Sequence, residues 1–142
     1  MPYNINTVEV WEGTIEDRPG GLADKLEPLA QSGACFEFVL ARRAEPGQGL
    51  LFLFPIKGAR QTKAATEAGL CKAADLAALR IEGPDKPGLG AKISRSLGEA
   101  GVNMRGLSAV VVGERCAVFM SLDTKDDAAK ARRVLAKTLA RA

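Results

Sequence analysis

The sequence contains no histidine. Its absence removes the commonest general base, the commonest metal ligand and every Ser-His or Cys-His nucleophile arrangement. Lys, Asp and Glu could still catalyse, but the expectation shifts away from an enzyme, and no cofactor or metal is indicated. The three cysteines, Cys35, Cys71 and Cys116, are odd in number and widely separated. With no Cys-x-x-Cys pair, neither a zinc knuckle, a metallochaperone loop nor a disulfide framework is expected, and a reducing cytoplasm is the simplest compartment. No stretch approaches the roughly 18 apolar residues of a membrane span. Residues 1–7 lack the basic and apolar regions of a signal peptide. Charge of neither sign dominates: 20 Lys and Arg against 17 Asp and Glu leave a formal +3. These charges are interleaved along the chain, as on a solvated mixed surface, and form no basic stripe, so neither nucleic acid nor membrane is expected as a partner. Aromatic residues make up only 5% of the chain. Phe36, Phe38, Phe52 and Phe54 lie in strand-like runs, but the basic-Gly-aromatic signature of an RNA-binding sheet is missing, and core packing accounts for them.

What is present is a repeat. Asp17-Arg18-Pro19-Gly20 returns as Asp85-Lys86-Pro87-Gly88, an offset of 68 that also aligns Ala23 with Ala91, Leu29 with Leu97 and Gly33 with Gly101. The register needs no gap. Asp, Pro and both glycines kept in step over that span mark a duplication. Two copies in 142 residues means units of about 70 residues each, which bury too little surface to be robust alone.

Each copy opens with an extended stretch, residues 8–15 and 76–81, that runs into the Asp-x-Pro-Gly turn. There proline fixes φ and glycine permits unusual dihedrals. A helix follows, with the apolar stripe Leu22, Leu26, Leu29 and Ala30 in one copy and Leu89, Ile93, Leu97 and Ala100 in the other. Gly33 and Gly101 stop these helices. Pro28, inside the first, is expected to kink or loosen its early turns. Two strands come next in each copy: 35–41 and 50–56 around Glu45-Pro46-Gly47-Gln48-Gly49, then 103–112 and 116–122 around Gly113-Glu114. A second helix closes each unit, over 59–68 and 124–140, the latter with Asp126 and Asp127 at its start and Arg141 near its end, as the helix dipole prefers. Residues 70–73 could add a fourth strand to the first copy, and nothing remains to add one to the second.

Strand, helix, strand, strand, helix, strand is the split βαβ, ferredoxin-like order: an α+β fold of antiparallel sheets with both helices on one face. The division expected is 1–73 and 74–142. The second copy, lacking its last strand, would leave a sheet edge open. The segment 3–6, the other repeat or another subunit should cover it, and a homodimer is expected.

The stretch Gly83-Pro84-Asp85-Lys86-Pro87-Gly88-Leu89-Gly90 is glycine-rich, yet Leu89 stands where a P-loop needs lysine and Ile93 where a Rossmann fingerprint needs glycine. Both nucleotide readings fail. The repeated turn leads instead into a helix N-terminus, where unpaired N–H groups and the dipole favour an anion such as the carboxylate of a free amino acid. The alternative is a plain strand-to-helix turn in which Asp caps the helix.

Asp-(Arg/Lys)-Pro-Gly, a helix, then Gly-x-Asn and a strand resembles the ACT domain of amino-acid-regulated enzymes and free-standing regulators. The resemblance covers nearly the whole chain twice and is clearer from Asp85-Lys86-Pro87-Gly88-Leu89-Gly90-Ala91 to Gly101-Val102-Asn103-Met104. It implies tandem ACT domains that bind an amino-acid effector between paired domains and modulate a metabolic enzyme or regulator. The implied contacts are Asp85, Lys86, Pro87, Gly88, Leu89, Gly90, Asn103 and Met104 in copy two, and Asp17, Arg18, Gly20, Gly21, Leu22 and Cys35 in copy one. Cys35 stands where Asn103 stands in copy two and is a far weaker hydrogen-bond donor. Two other classes stay open: a ligand-free dimerisation module, and a small hydrolase on a ferredoxin-like scaffold, for which no signature is present.

Overall fold

The computed structural model describes residues 3–74 and 77–140. Leu76, where the second copy's first strand was expected to start, and Arg141, expected near the end of the last helix, lie outside the described residues. The chain divides into two compact units. The first is Glu9–Ala73. The second joins the chain from Ala74 onward to the segment ending at Val8.

In the first unit β2 (Trp11–Glu16) leads into α1 (Gly21–Gln31), the hairpin β3 (Phe38–Glu45) and β4 (Gln48–Phe54), α2 (Gly58–Glu67) and the two-residue β5 (Cys71–Lys72). The sheet order is β3-β4-β2-β5, with every pair antiparallel. The second unit has β6 (Ala77–Pro84), α3 (Leu89–Glu99), the hairpin β7 (Met104–Val112) and β8 (Arg115–Leu122), and α4 (Lys125–Leu139). The strand that completes it is β1 (Asn4–Val8), which pairs antiparallel with β6 from Asn4↔Glu82 to Val8↔Ala78. The order β1-β6-β8-β7 repeats that of the first unit. Both are ferredoxin-like, and the segment 3–6 belongs to the cover for the otherwise open edge.

The stretch 8–15, expected as one strand, is therefore two. Val8 ends β1 in one sheet and Trp11 begins β2 in the other, with Glu9 and Val10 between them. Division by sequence order alone puts β1 with the copy it precedes, but the vacant edge beside β6 recruits its backbone N–H and C=O groups to the other sheet.

Period-2 burial builds the sheet side of each core: Leu51 and Leu53 on β4, Leu79 and Ile81 on β6, and Cys116, Val118, Met120 and Leu122 on β8. Period-3.6 burial builds the helix side, with Leu89, Ile93 and Leu97 on α3 and Ala128, Ala131, Leu135 and Leu139 on α4. The first unit's core is smaller: Trp11, Leu29, Leu51, Leu53, Ala65 and Leu70. Among the described residues Ala65 is the only buried residue of α2, so that helix leans on α1 through small side chains.

Helix α1 continues through Pro28, and its first-turn bond from Asp24 N–H to the Gly20 carbonyl, 3.0 Å, is intact. The first turn is therefore not loosened as expected, because Pro28 lies in the second half of the helix and the N–H it lacks would have bonded the Asp24 carbonyl, beyond that first-turn bond. Both α1 and α3 end in the same way. Gly33 and Gly101 take φ of 89° and 77°, and the N–H groups of Ala34 and Val102 reach back to the carbonyls of Leu29 and Leu97 at 3.1 and 2.9 Å. These are Schellman closures.

Candidate functional site

The repeated turn has the same frame in both units. Gly20 and Gly88 are the helix N-caps, with φ of 83° and 82°, a left-handed conformation that favours glycine. The N–H of Asp17 donates to the Gly47 carbonyl at 3.1 Å, and that of Asp85 to the Glu114 carbonyl at 2.9 Å, so each turn is tied to its own hairpin tip. Gly21 N–H donates to Arg18 O at 3.0 Å and Leu89 N–H to Lys86 O at 3.2 Å. Neither Asp caps its helix, since no side chain caps α1 or α3. In the first unit the Asp17 carboxylate instead accepts from the Arg43 guanidinium across the hairpin at 2.5 Å. Hydrogen bonding to Asp17 raises the pKa of Arg43 from its ordinary value.

The turns differ in what surrounds them. Arg18 is held between Glu16 and Asp24, each at 2.5 Å, so its charge is already matched. Asp85, Lys86, Pro87 and Gly88 are exposed, as are Asp17, Arg18, Pro19 and Gly20, but Gly90 is exposed where its counterpart Leu22 is half-buried. A Cβ at Gly90 would meet nothing within 4 Å beyond its own helix and chain neighbours, which leaves the start of α3 open to close approach. Leu89 points the other way, into the core, and only its backbone faces the turn. Gly21 is buried, and Leu22 is half-buried against the first core. The Tyr3 hydroxyl donates to the Pro84 carbonyl at 2.8 Å, at the point where β6 passes into the turn. Burial above all, then the nearby Cys116 and Asp85, pushes the Tyr3 phenol above its ordinary pKa, so it stays a donor.

Asn103 and Met104 lie at the other end. Asn103 is exposed just beyond the Gly101 closure, and Met104 is half-buried against the second core. Between them and the turn stands α3, whose 11 residues span about 16 Å at 1.5 Å per residue. The sheet register agrees, for Met104 is opposite Leu122 while Pro84, next to the turn, is opposite Arg115. Within one unit, the structure does not bring the turn and Asn103 together. Cys35 is likewise exposed beyond the far end of α1 from residues 17–22.

Sequence reasoning named Arg18 and Gly21 but missed the cleft of about 990 Å³ in the first unit that they line together with α1 and α2. Lys25 Nζ donates to the Ala68 carbonyl at 2.6 Å, and Arg60 donates to the Gln31 carbonyl at 3.1 Å. Each cation thus satisfies the C-terminal end of the other helix, where the dipole favours it. The signal was the composition of α2 and its C-cap, whose Ala64 and Ala68 line the cleft and cannot fill the space a leucine stripe would.

No protein-family model matches the sequence, and no curated protein matches it. Solved structures do resemble it. A protein from Bacteroides thetaiotaomicron superposes with a TM-score of 0.78 at 18% identity, over 94% of this chain and 89% of that one. The ligand-free regulatory subunit of aspartate kinase from Thermus thermophilus gives 0.68 at 18% identity, over 97% of each chain. Aspartate kinase of Clostridium acetobutylicum, described as an allosteric enzyme, gives 0.64 at 18% identity, over 98% of this chain and 35% of its own. The likeness spans both repeats and shows that this chain shares their fold, two ferredoxin-like units in tandem.

Proposed function

We propose that this protein is an amino-acid-binding regulatory protein, acting in the cytoplasm on a metabolic enzyme or regulator rather than catalysing a reaction itself. The observation that carries this reading is the duplicated turn, with its left-handed glycine and its tie to the hairpin tip. Such a turn fixes helix-terminal N–H groups toward one point, where a carboxylate is favoured. The open side of the second unit's turn supports that unit as the main site.

One ligand can touch both the turn and Asn103 if a second copy supplies the other half. Strand β7 is a sheet edge, and Leu107, Val110, Val111 and Val112 on it are 42, 50, 51 and 75% exposed. Long, apolar, uncovered edges invite pairing. Two β7 edges paired antiparallel about a two-fold axis would set the start of one strand beside the end of the other. The partner subunit's Asn103 would then approach the hairpin tip to which Asp85 is bound. In this reading the protein is a homodimer whose amino-acid sites are shared between subunits.

A thermal-shift screen against the twenty amino acids tests the reading. A ligand at a hundredfold excess over its dissociation constant adds about 2.7 kcal/mol, a rise of roughly 5 to 10 °C for a chain of this size. The same β7 edge also suits a ligand-free dimerisation module. A dimer that no amino acid stabilises would favour that second reading.

A further inference from the structure

The carbonyl that precedes each repeated turn has a different partner in the two units. In the first, the Glu16 carbonyl accepts the Arg18 N–H at 2.9 Å, a bond that closes within the turn. Its equivalent 68 positions on, the Pro84 carbonyl, accepts the Tyr3 hydroxyl at 2.8 Å. The Cys116 thiol lies 3.9 Å from the same oxygen. Among the described residues the Lys86 N–H, counterpart of Arg18 N–H, has no backbone acceptor. Tyr3 directly precedes β1, the strand that fills the sheet edge, and its ring packs against the second core. One side chain thus joins the docked strand to the turn.

We infer that Tyr3 is a positioning residue for the second unit's amino-acid site, its hydroxyl holding the Pro84 carbonyl away from Lys86 so that the Lys86 N–H is left to receive a carboxylate. The inference rests on the amino-acid reading above and adds a linkage to it. Whatever stabilises the turn with its N–H free also stabilises β1 in its place, and undocking β1 weakens ligand capture by the same factor. The first unit, whose turn closes on itself, has no such device.

Tyr3→Phe in the full chain keeps the ring in the core and removes only the hydroxyl. Hydrogen exchange without ligand reads the turn directly. The Pro84 carbonyl should swing to the Lys86 N–H, as its counterpart does in the first unit. Exchange at Lys86 should then slow by roughly three- to tenfold, while the β1 amides exchange faster. A side chain that merely stabilised the fold would speed exchange at both places. Unchanged or faster exchange at Lys86 therefore overturns the inference. The second arm uses an equimolar mixture of the twenty L-amino acids, starting at about 1 mM each. Tyr3→Phe should need roughly three- to tenfold more of the mixture than wild type for an equal melting shift. Equal responses from the two proteins overturn the linkage. If wild type does not respond at all, the amino-acid reading fails, and the exchange measurement alone still decides whether Tyr3 holds the Pro84 carbonyl away from Lys86.

Discussion

Gly21 and Leu89 occupy the same place in the two repeats, one with no side chain and the other filling a core. A Cβ on Gly21 would lie 2.1 Å from the Glu16 carbonyl oxygen, so the first turn closes only around glycine. Leu89 is 8% exposed and packs with Ile93 and Leu97 beneath the second turn. Gly21→Ala should therefore force the backbone apart and destabilise the first unit by about 2–4 kcal/mol. Leu89→Ala should cost the second unit about 2–4 kcal/mol by leaving a cavity. Denaturant titration with a tryptophan signal from Trp11 and a far-ultraviolet signal for the whole chain separates the two effects.

That asymmetry was only partly legible in the sequence. The offset of 68 exposed the duplication, because Asp, Pro and the glycines of the turn recur in step. The alternation in β8 and the i, i+4, i+8 spacing of Leu89, Ile93 and Leu97 are local signals of burial. The missing last strand of the second copy made the segment 3–6 one of three candidates for that edge, but nothing local singled it out, since pairing Ile5 with Ile81 is a long-range event. The separation of Asn103 from the turn was not legible. A motif read along a line puts residues 85–90 and 103 near one another, but the helix between them holds them apart.

The two shifted groups of the second unit fix the direction of its pH dependence. The Cys116 thiol is pushed above its ordinary value of 9.0 by burial first and Asp85 second, with Arg115 opposing. The Tyr3 phenol is pushed above 10.0 by burial first. The folded state therefore holds both protons more tightly than the unfolded chain, which ionises first as pH rises. Their contribution is fully present below pH 9 and is lost progressively above it. Melting temperature measured from pH 7 to 11 should stay level, then fall, and Tyr3→Phe should flatten the highest part of the decline.

Thiol accessibility should follow the same structure. Cys35 and Cys71 are exposed, while Cys116 is buried beneath the Tyr3–Pro84 contact and held in its neutral form. The thiolate is the reacting species, so Cys116 should lag the other two toward an aromatic disulfide reagent at pH 8 by about tenfold or more. Full reaction of all three thiols at one rate would show that this corner of the second unit opens readily.

The β7 edge makes a prediction about assembly. Val111 is exposed on the outermost strand of its sheet, so a charge there costs the isolated unit little but opposes edge-to-edge pairing. Sedimentation of the wild-type chain at micromolar concentration should show a dimer. Val111→Lys should shift it to monomer with little change in circular dichroism. A wild-type monomer, or a variant dimer as tight as wild type, would remove β7 as the contact.

The separation of Asn103 from the turn allows the shared site to be tested by mixing two inactive proteins. Asn103→Ala removes side-chain hydrogen bonds to a charged ligand, worth about 1.5–3 kcal/mol each, and should weaken amino-acid binding roughly ten- to a hundredfold. Cys35→Ala should change it little, since a thiol offers only a weak bond. Gly90→Leu acts at the opposite end. Open space surrounds that position, so the fold should tolerate the side chain, which would then block approach to the turn. Each variant must first be shown to fold and dimerise. Each alone should then lose the amino-acid response found for wild type. In a mixed dimer, however, the turn of the Asn103→Ala subunit meets the intact Asn103 of the Gly90→Leu subunit, which rebuilds one whole site. Random exchange of equal amounts should restore roughly a quarter of all sites, by two-fold symmetry. Titration calorimetry before and after exchange counts them. If the turn and Asn103 served one ligand within a single unit, mixing would restore none, because every unit would still carry a defect.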